Sequence, residues 1–200
     1  FLSGQVFAQT SAYKGKSLHN KPSQSIQAKN TDKTLVSWVI LKNKEVRGGS
    51  ILTIQDGDRF DGIIFSEQGT WIAGSGKRIR SSDANKKLSE KHTAKNEMIQ
   101  MAIVYEGNEI YRNGVLYCEH KAKNIDLLSG KDNFVVFGRS HFGGDGFVNA
   151  AIEDARIYSE ALTKKEIRSL KPNELSDTEP YAWWTFEQDT LVEKQGKFVT

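Results

Sequence analysis

The stretch GFVNAAIEDARIYSEALTKKEIRSL, from Gly146 to Leu170, joins a long late strand to the best-signalled helix of the chain, and its reading sets the fold. From Val148 to Tyr158 the residues alternate imperfectly. Val148, Ala150, Ile152, Asp154, Arg156 and Tyr158 fall on one face, with Ala151, Glu153, Ala155 and Ile157 on the other, which predicts a strand with a mixed surface. Thr163 then offers a hydroxyl to the free amides of a first helical turn. Glu166 can reach back to it, completing a capping box, while Leu162 and Ile167 occupy the two staple positions around it. Pro172 stops the pattern soon after, so the helix is short and superficial.

Outward from this stretch, short strands separated by turn residues predominate. TLVSWVIL (Thr34–Leu41) is almost continuously apolar, as in a strand buried on both faces. SILTIQ, IIFSE and TWIAG follow as a meander broken at Gly48, Gly49, Gly57 and Gly69. In MIQMAIVYEGNEIYRNGVLYCEH, Asn113 and Gly114 tolerate the two positive φ angles of a tight hairpin, so IYR and VLY pair in close register. FVVFG opens into the glycine-rich loop SHFGGDG, which precedes a strand and not a helix; no helix dipole would face a phosphate there. Together these predict an all-β, two-sheet antiparallel sandwich with one short helix near the C-terminus.

Composition excludes several roles. A net charge of +3 from 28 basic and 25 acidic residues creates no single-sign field for nucleic acid or membrane. The basic run from Gly74 to Asn96 is interleaved with Asp83 and Glu90 and has no aromatic to stack a base. Cys118 is the sole cysteine and is expected to pack, not to react. No apolar run is long enough to span a bilayer. FLSGQVFA resembles the tail of a secretory signal, with cleavage after Ala8; an ordinary N-terminal tail or strand is the alternative.

Several segments match the laminin G-like, concanavalin A-like jelly rolls of secreted carbohydrate-active proteins. The closing stretch resembles theirs at Gly146, Ile152, Asp154, Arg156, Ile157, Tyr158, Ala161, Leu162, Glu166 and Ile167. Val36, Ser37, Trp38 and Val39 resemble an early strand, Tyr111, Arg112, Asn113 and Gly114 a hairpin, and Phe137, Gly138 and Arg139 a strand ending in glycine. YAWWTFEQDTLVEKQGKF is similar to the strand that opens such domains. The resemblance implies a concanavalin A-like jelly roll over residues 13–172, after a signal remnant or tail (1–12). A linker (173–180) follows, then a strand at 181–200 that either completes this sandwich or opens a second module. It also implies a secreted, extracellular or periplasmic protein, acting as a non-catalytic carbohydrate-binding module of a larger glycoside hydrolase. Alternatives are a scaffold packed on an adjacent catalytic domain, and a glycosidase or polysaccharide lyase in its own right.

A sugar presents hydroxyls to polar side chains and apolar C–H faces to aromatic rings. Residues of both kinds near strand ends and in polar loops are Asp56, Asp58, Arg59, Trp71, Arg78, Tyr105, Arg139, His141 and Asp145; the last two belong to SHFGGDG. Asp56, Asp58 and Asp61 around Gly57 and Gly62 suggest oxygen ligands for calcium, with Asp154 as a further structural ion site, although a solvated turn explains the same spacing. No cofactor is required. A catalytic role needs carboxylates sharing one strand face, and Glu153 and Asp154, being adjacent, are expected on opposite faces. The scattered histidines suggest no zinc site.

Overall fold

The computed structural model describes residues 32–42, 49–57, 59–75, 96–122, 133–139, 147–187 and 194–195. Among these residues ten strands and one helix follow in order: β1 (Thr34–Leu41), β2 (Gly49–Asp56), β3 (Arg59–Phe65), β4 (Trp71–Gly74), β5 (Met98–Val104), β6 (Glu109–Arg112), β7 (Val115–Glu119), β8 (Phe134–Phe137), β9 (Ala150–Tyr158), α1 (Lys164–Ser169) and β10 (Ala182–Thr185). They build two antiparallel sheets, one ordered β10-β9-β1-β5-β6-β7 and the other β4-β3-β2-β8. The all-β sandwich is therefore present as the sequence predicts, with one short helix among the described residues.

Each sheet contributes one face to the central core. Leu35, Val39, Ile99, Met101, Ile103, Ala155 and Ile157 from the larger sheet meet Leu52, Ile54, Ile63, Phe65 and Trp71 from the smaller. The larger sheet is also covered on its outer face, where Val36, Trp38, Ala102, Val104, Tyr111 and Tyr158 pack beneath Leu162, Ile167 and Leu170. This second layer explains the unbroken apolar reading of β1, which is buried on both sides.

The local signals behave as chemistry dictates. The Thr163 hydroxyl accepts from the Glu166 amide at 3.3 Å, and the Glu166 carboxylate accepts from the Thr163 amide at 2.7 Å. Asn113 and Gly114 both have positive φ, 50° and 68°. Glycine is required there a second time, since a Cβ on Gly114 would lie 2.2 Å from Cγ of Arg168 on the helix.

One expectation fails at β9. The register against β1 pairs Trp38 with Asp154 but Val39 with Ile152, so Glu153 is the extra residue of a β-bulge. Ile152 and Ala150 consequently turn into the core, whereas Arg156 lies under the ring of Trp38 on the outer face. Strict alternation placed Ile152 and Asp154 on one face; the bulge separates them. It also brings the Glu153 and Asp154 carboxylates to one neighbour. The Asn173 side-chain amide donates to Glu153 at 3.0 Å and its backbone N–H to Asp154 at 2.7 Å, correcting the opposite-face expectation.

Beyond the helix, the chain returns across the outer face and β10 pairs with β9 at the sheet edge, Trp183 opposite Arg156 and Trp184 opposite Ala155. Among the described residues no helix is long and apolar enough to cross a membrane.

Candidate functional site

Three of the aspartates considered as calcium ligands are drawn apart by separate cationic partners. Asp61 points from β3 into the sandwich and meets Lys33 Nζ at 2.8 Å, both side chains essentially without solvent contact. Burial raises its carboxyl to about pH 6 against the opposing pull of Lys33. Tyr105 closes this knot: its ring lies 4.9 Å from Lys33 Nζ, and its hydroxyl donates to the Gly74 carbonyl at 2.6 Å while accepting from the Gly62 amide at 2.8 Å. Asp56, at the end of β2, is held by Arg59.

Asp154 is the most heavily engaged carboxylate. Arg156 donates to both of its oxygens, at 3.0 and 2.8 Å, and the Trp183 indole N–H and Asn173 amide add bonds of 2.9 and 2.7 Å to Oδ2. The guanidinium lies between Trp38 and Trp183, 5.1 and 4.7 Å from their ring centroids. Charge-assisted bonds of about 1.5–3 kcal/mol each offset the several kcal/mol of desolvation that a buried ion would otherwise suffer. A metal ion entering here would have to displace a guanidinium. Among the described residues no three acidic, histidine or cysteine side chains converge as a metal would need.

Two of the aromatic candidates are core residues. Trp71 is 1 % exposed and packs against Phe65 at 5.0 Å, and Tyr105 is equally enclosed. Neither ring can meet a glycan face without opening the sandwich. TWIAG could not reveal this, because its apolar residues read alike from both sides. Cys118 is buried as well, and burial pushes its thiol up to about 11. Asp58, Arg78, His141 and Asp145 lie outside the described residues.

Arg139 remains at the surface margin, in a hairpin at the edge of the smaller sheet. It forms an antiparallel bridge with Phe147, and the Val148 amide donates to the Gly138 carbonyl at 3.0 Å. Phe134 begins β8, opposite Gln55 of β2. Phe134 and Phe147, each 40 % exposed, are the exposed aromatic rings among the described residues; Phe147 faces Arg139 across the bridge, and Phe134 lies at the other end of β8. Sequence reading passed over them. The run FVVF is apolar at every position, so its pattern does not separate the two faces, and exposure of an edge strand follows from topology.

No curated protein sequence matches the chain. Solved structures do resemble it. A protein from Bacteroides ovatus proposed to bind carbohydrate superposes with a TM-score of 0.59 at 14 % identity, over 88 % of this chain and 52 % of its own. Domain 4 of an extracellular arabinanase from Geobacillus stearothermophilus, solved with arabinotriose, gives 0.54 at 16 % identity, over 69 % and 65 %. Trypanosoma rangeli sialidase gives 0.51 at 16 % identity, over 70 % of this chain but only 22 % of the enzyme. At such identities the likeness is one of fold. The family model for the concanavalin A-like lectin/glucanase superfamily of laminin G type matches residues 14–168. With that match spanning most of its length and the two-sheet sandwich beneath it, the chain belongs to the concanavalin A-like lectin/glucanase superfamily.

Proposed function

We propose that the chain is a non-catalytic carbohydrate-binding module of a larger secreted glycoside hydrolase, and that it meets its glycan at the hairpin of β8. The observation that carries this reading is the exposed Phe147 ring directly across the strand pair from Arg139. An exposed ring accepts the apolar C–H face of a sugar, and a guanidinium beside it donates to ring hydroxyls. His141 and Asp145 fall in the sequence between these two residues and would supply further polar contacts. Phe134, at the other end of β8, offers a second ring. The neighbours named for carbohydrate binding and for arabinotriose support a glycan as the ligand class.

A non-catalytic role is supported by what has become of the carboxylates. Asp61 and Asp154 are sealed and paired, and Glu153 is tied to Asn173. Neither the Asp61 pair nor the Asp154 pair opens onto the strand pair with Phe147, so among the described residues no acid and base flank a bond there. The scaffold alternative rests on a specific observation too: the fold occupies under a quarter of the sialidase chain, as an accessory domain would.

Affinity electrophoresis in gels containing arabinan, fructan or sialylated glycan tests the proposal. Phe147→Ala and Arg139→Ala should each weaken retardation about tenfold or more, and Phe134→Ala less, with folding intact because the rings are already part-exposed. Retardation that survives all three substitutions would place the site elsewhere. Wild-type protein that no glycan retards would favour the scaffold reading, and turnover of any glycan by the wild-type chain would overturn the non-catalytic one.

A further inference from the structure

We propose that residues 171–187, which lie beyond the end of the family match at residue 168, form a strap that closes this domain and buttresses the β8 hairpin from behind. The hairpin's ligand rests on the reading above; the strap does not. Its outer side engages the buried ion pair. The Lys171 carbonyl accepts from Arg156 at 2.8 Å, the Asn173 amide and Trp183 indole donate to Asp154, and the Ser176 and Tyr158 hydroxyls bond at 3.1 Å. Without the strap, the Asp154 carboxylate would keep only the bonds from Arg156, and the guanidinium would lose one of its two covering rings. A buried pair deprived of its hydrogen bonds no longer offsets its desolvation.

The inner side of the strap reaches the other sheet. Trp184, 1 % exposed, meets Phe137 edge-on at 5.3 Å, and Phe186 meets the same ring at 5.2 Å. Phe137 ends β8, one residue before Gly138, whose amide donates to Ile51 and whose carbonyl accepts from Val148. The two strap aromatics therefore back the ring that anchors the base of the hairpin carrying Arg139 and Phe147. The Phe186 amide also donates to the Glu153 carbonyl at 3.3 Å, fastening the strap at the β9 bulge. Segment 171–187 thus contacts both sheets, the larger through hydrogen bonds to Glu153, Asp154, Arg156 and Tyr158 and the smaller through the rings of Trp184 and Phe186.

Native-state hydrogen exchange on the full chain tests this without any ligand. Exchange of the Asn173 and Trp184 amides should share the slow opening of β9, since a strap that completes the core opens with it. Phe186→Ala should speed exchange at Gly138 and Val148 by about tenfold or more while leaving the β5–β6 pairing unchanged. Trp183→Phe, which keeps a ring but removes the indole donor, should lower the unfolding midpoint of the whole domain. The proposal is overturned if strap amides exchange roughly a hundredfold faster than those of β9. It is equally overturned if Phe186→Ala leaves Gly138 and Val148 unaffected or speeds every strand alike. None of these results depends on whether a glycan binds.

Discussion

Replacing Lys33 by methionine removes the cation that faces Asp61 inside the sandwich while keeping much of its apolar stem. In the folded protein Asp61 titrates near 6, above the 3.8 of an unperturbed carboxyl, because burial outweighs the attraction of Lys33. A folded-state value above the unfolded one means that the folded chain binds the extra proton. This contribution to stability is complete below about pH 4 and is lost as pH rises through 6. Without Lys33 only the hydrogen bond to Ser75 opposes burial, and the carboxyl moves higher still. At pH 8 the variant either keeps an unpaired buried carboxylate or holds a proton against solution, two units above the native value. At about 1.36 kcal/mol per unit, that limits the added loss to roughly 3 kcal/mol, close to the 3–5 kcal/mol typical when one partner of a buried pair is removed. At pH 5 both proteins carry a neutral Asp61, and the difference should shrink by the same amount. Urea unfolding followed by tryptophan fluorescence reads this directly, since all four tryptophans are buried. Lys33→Met with Asp61→Leu should recover most of the loss at pH 8. A loss of the same size at pH 5 and pH 8, or a double variant no better than the single one, would refute the account.

Three further outcomes follow from other parts of the fold. Gly114→Ala should cost about 2 kcal/mol in urea unfolding, because alanine resists the left-handed φ and its Cβ would strike Arg168. Thr163→Ala should cost about 1 kcal/mol by the same measurement, the usual loss for an N-cap hydroxyl. Chelator should leave the thermal midpoint unmoved, because Asp56, Asp61 and Asp154 already have cationic partners; a midpoint that falls would show an ion bound by the folded state.

Features decided within a few residues were legible in the sequence. The Thr163–Glu166 box and the Asn113–Gly114 turn are dictated by hydroxyl reach and by φ, so each appears where its residues predict. Properties requiring distant partners were not. Lys33 and Asp61 look like ordinary surface charges until β1 and β3 are stacked in opposite sheets, and Trp71 resembles a ligand contact until its facing side is known. Asp154 was recognisable as structural from its motif, yet its indole and amide donors come from residues 173 and 183, which no local pattern connects to it. At the candidate site, Arg139 was named for its position at a strand end. Phe134 and Phe147 were missed because apolar residues in a β run are ordinarily assigned to a core.

The bulge at Glu153 also constrains how this strand can change over time. Upstream of it the inward-facing code is written on even-numbered residues, Ala150 and Ile152; downstream it is written on odd-numbered ones, Ala155 and Ile157. Deleting Glu153 would leave all four on one face of an unbroken ladder, whereas a deletion elsewhere in the strand would shift the residues beyond it by one, driving a charged side chain into the core or an apolar one out of it. Glu153 is thus the residue of β9 whose loss the pairing can absorb, at the expense of its bond to Asn173.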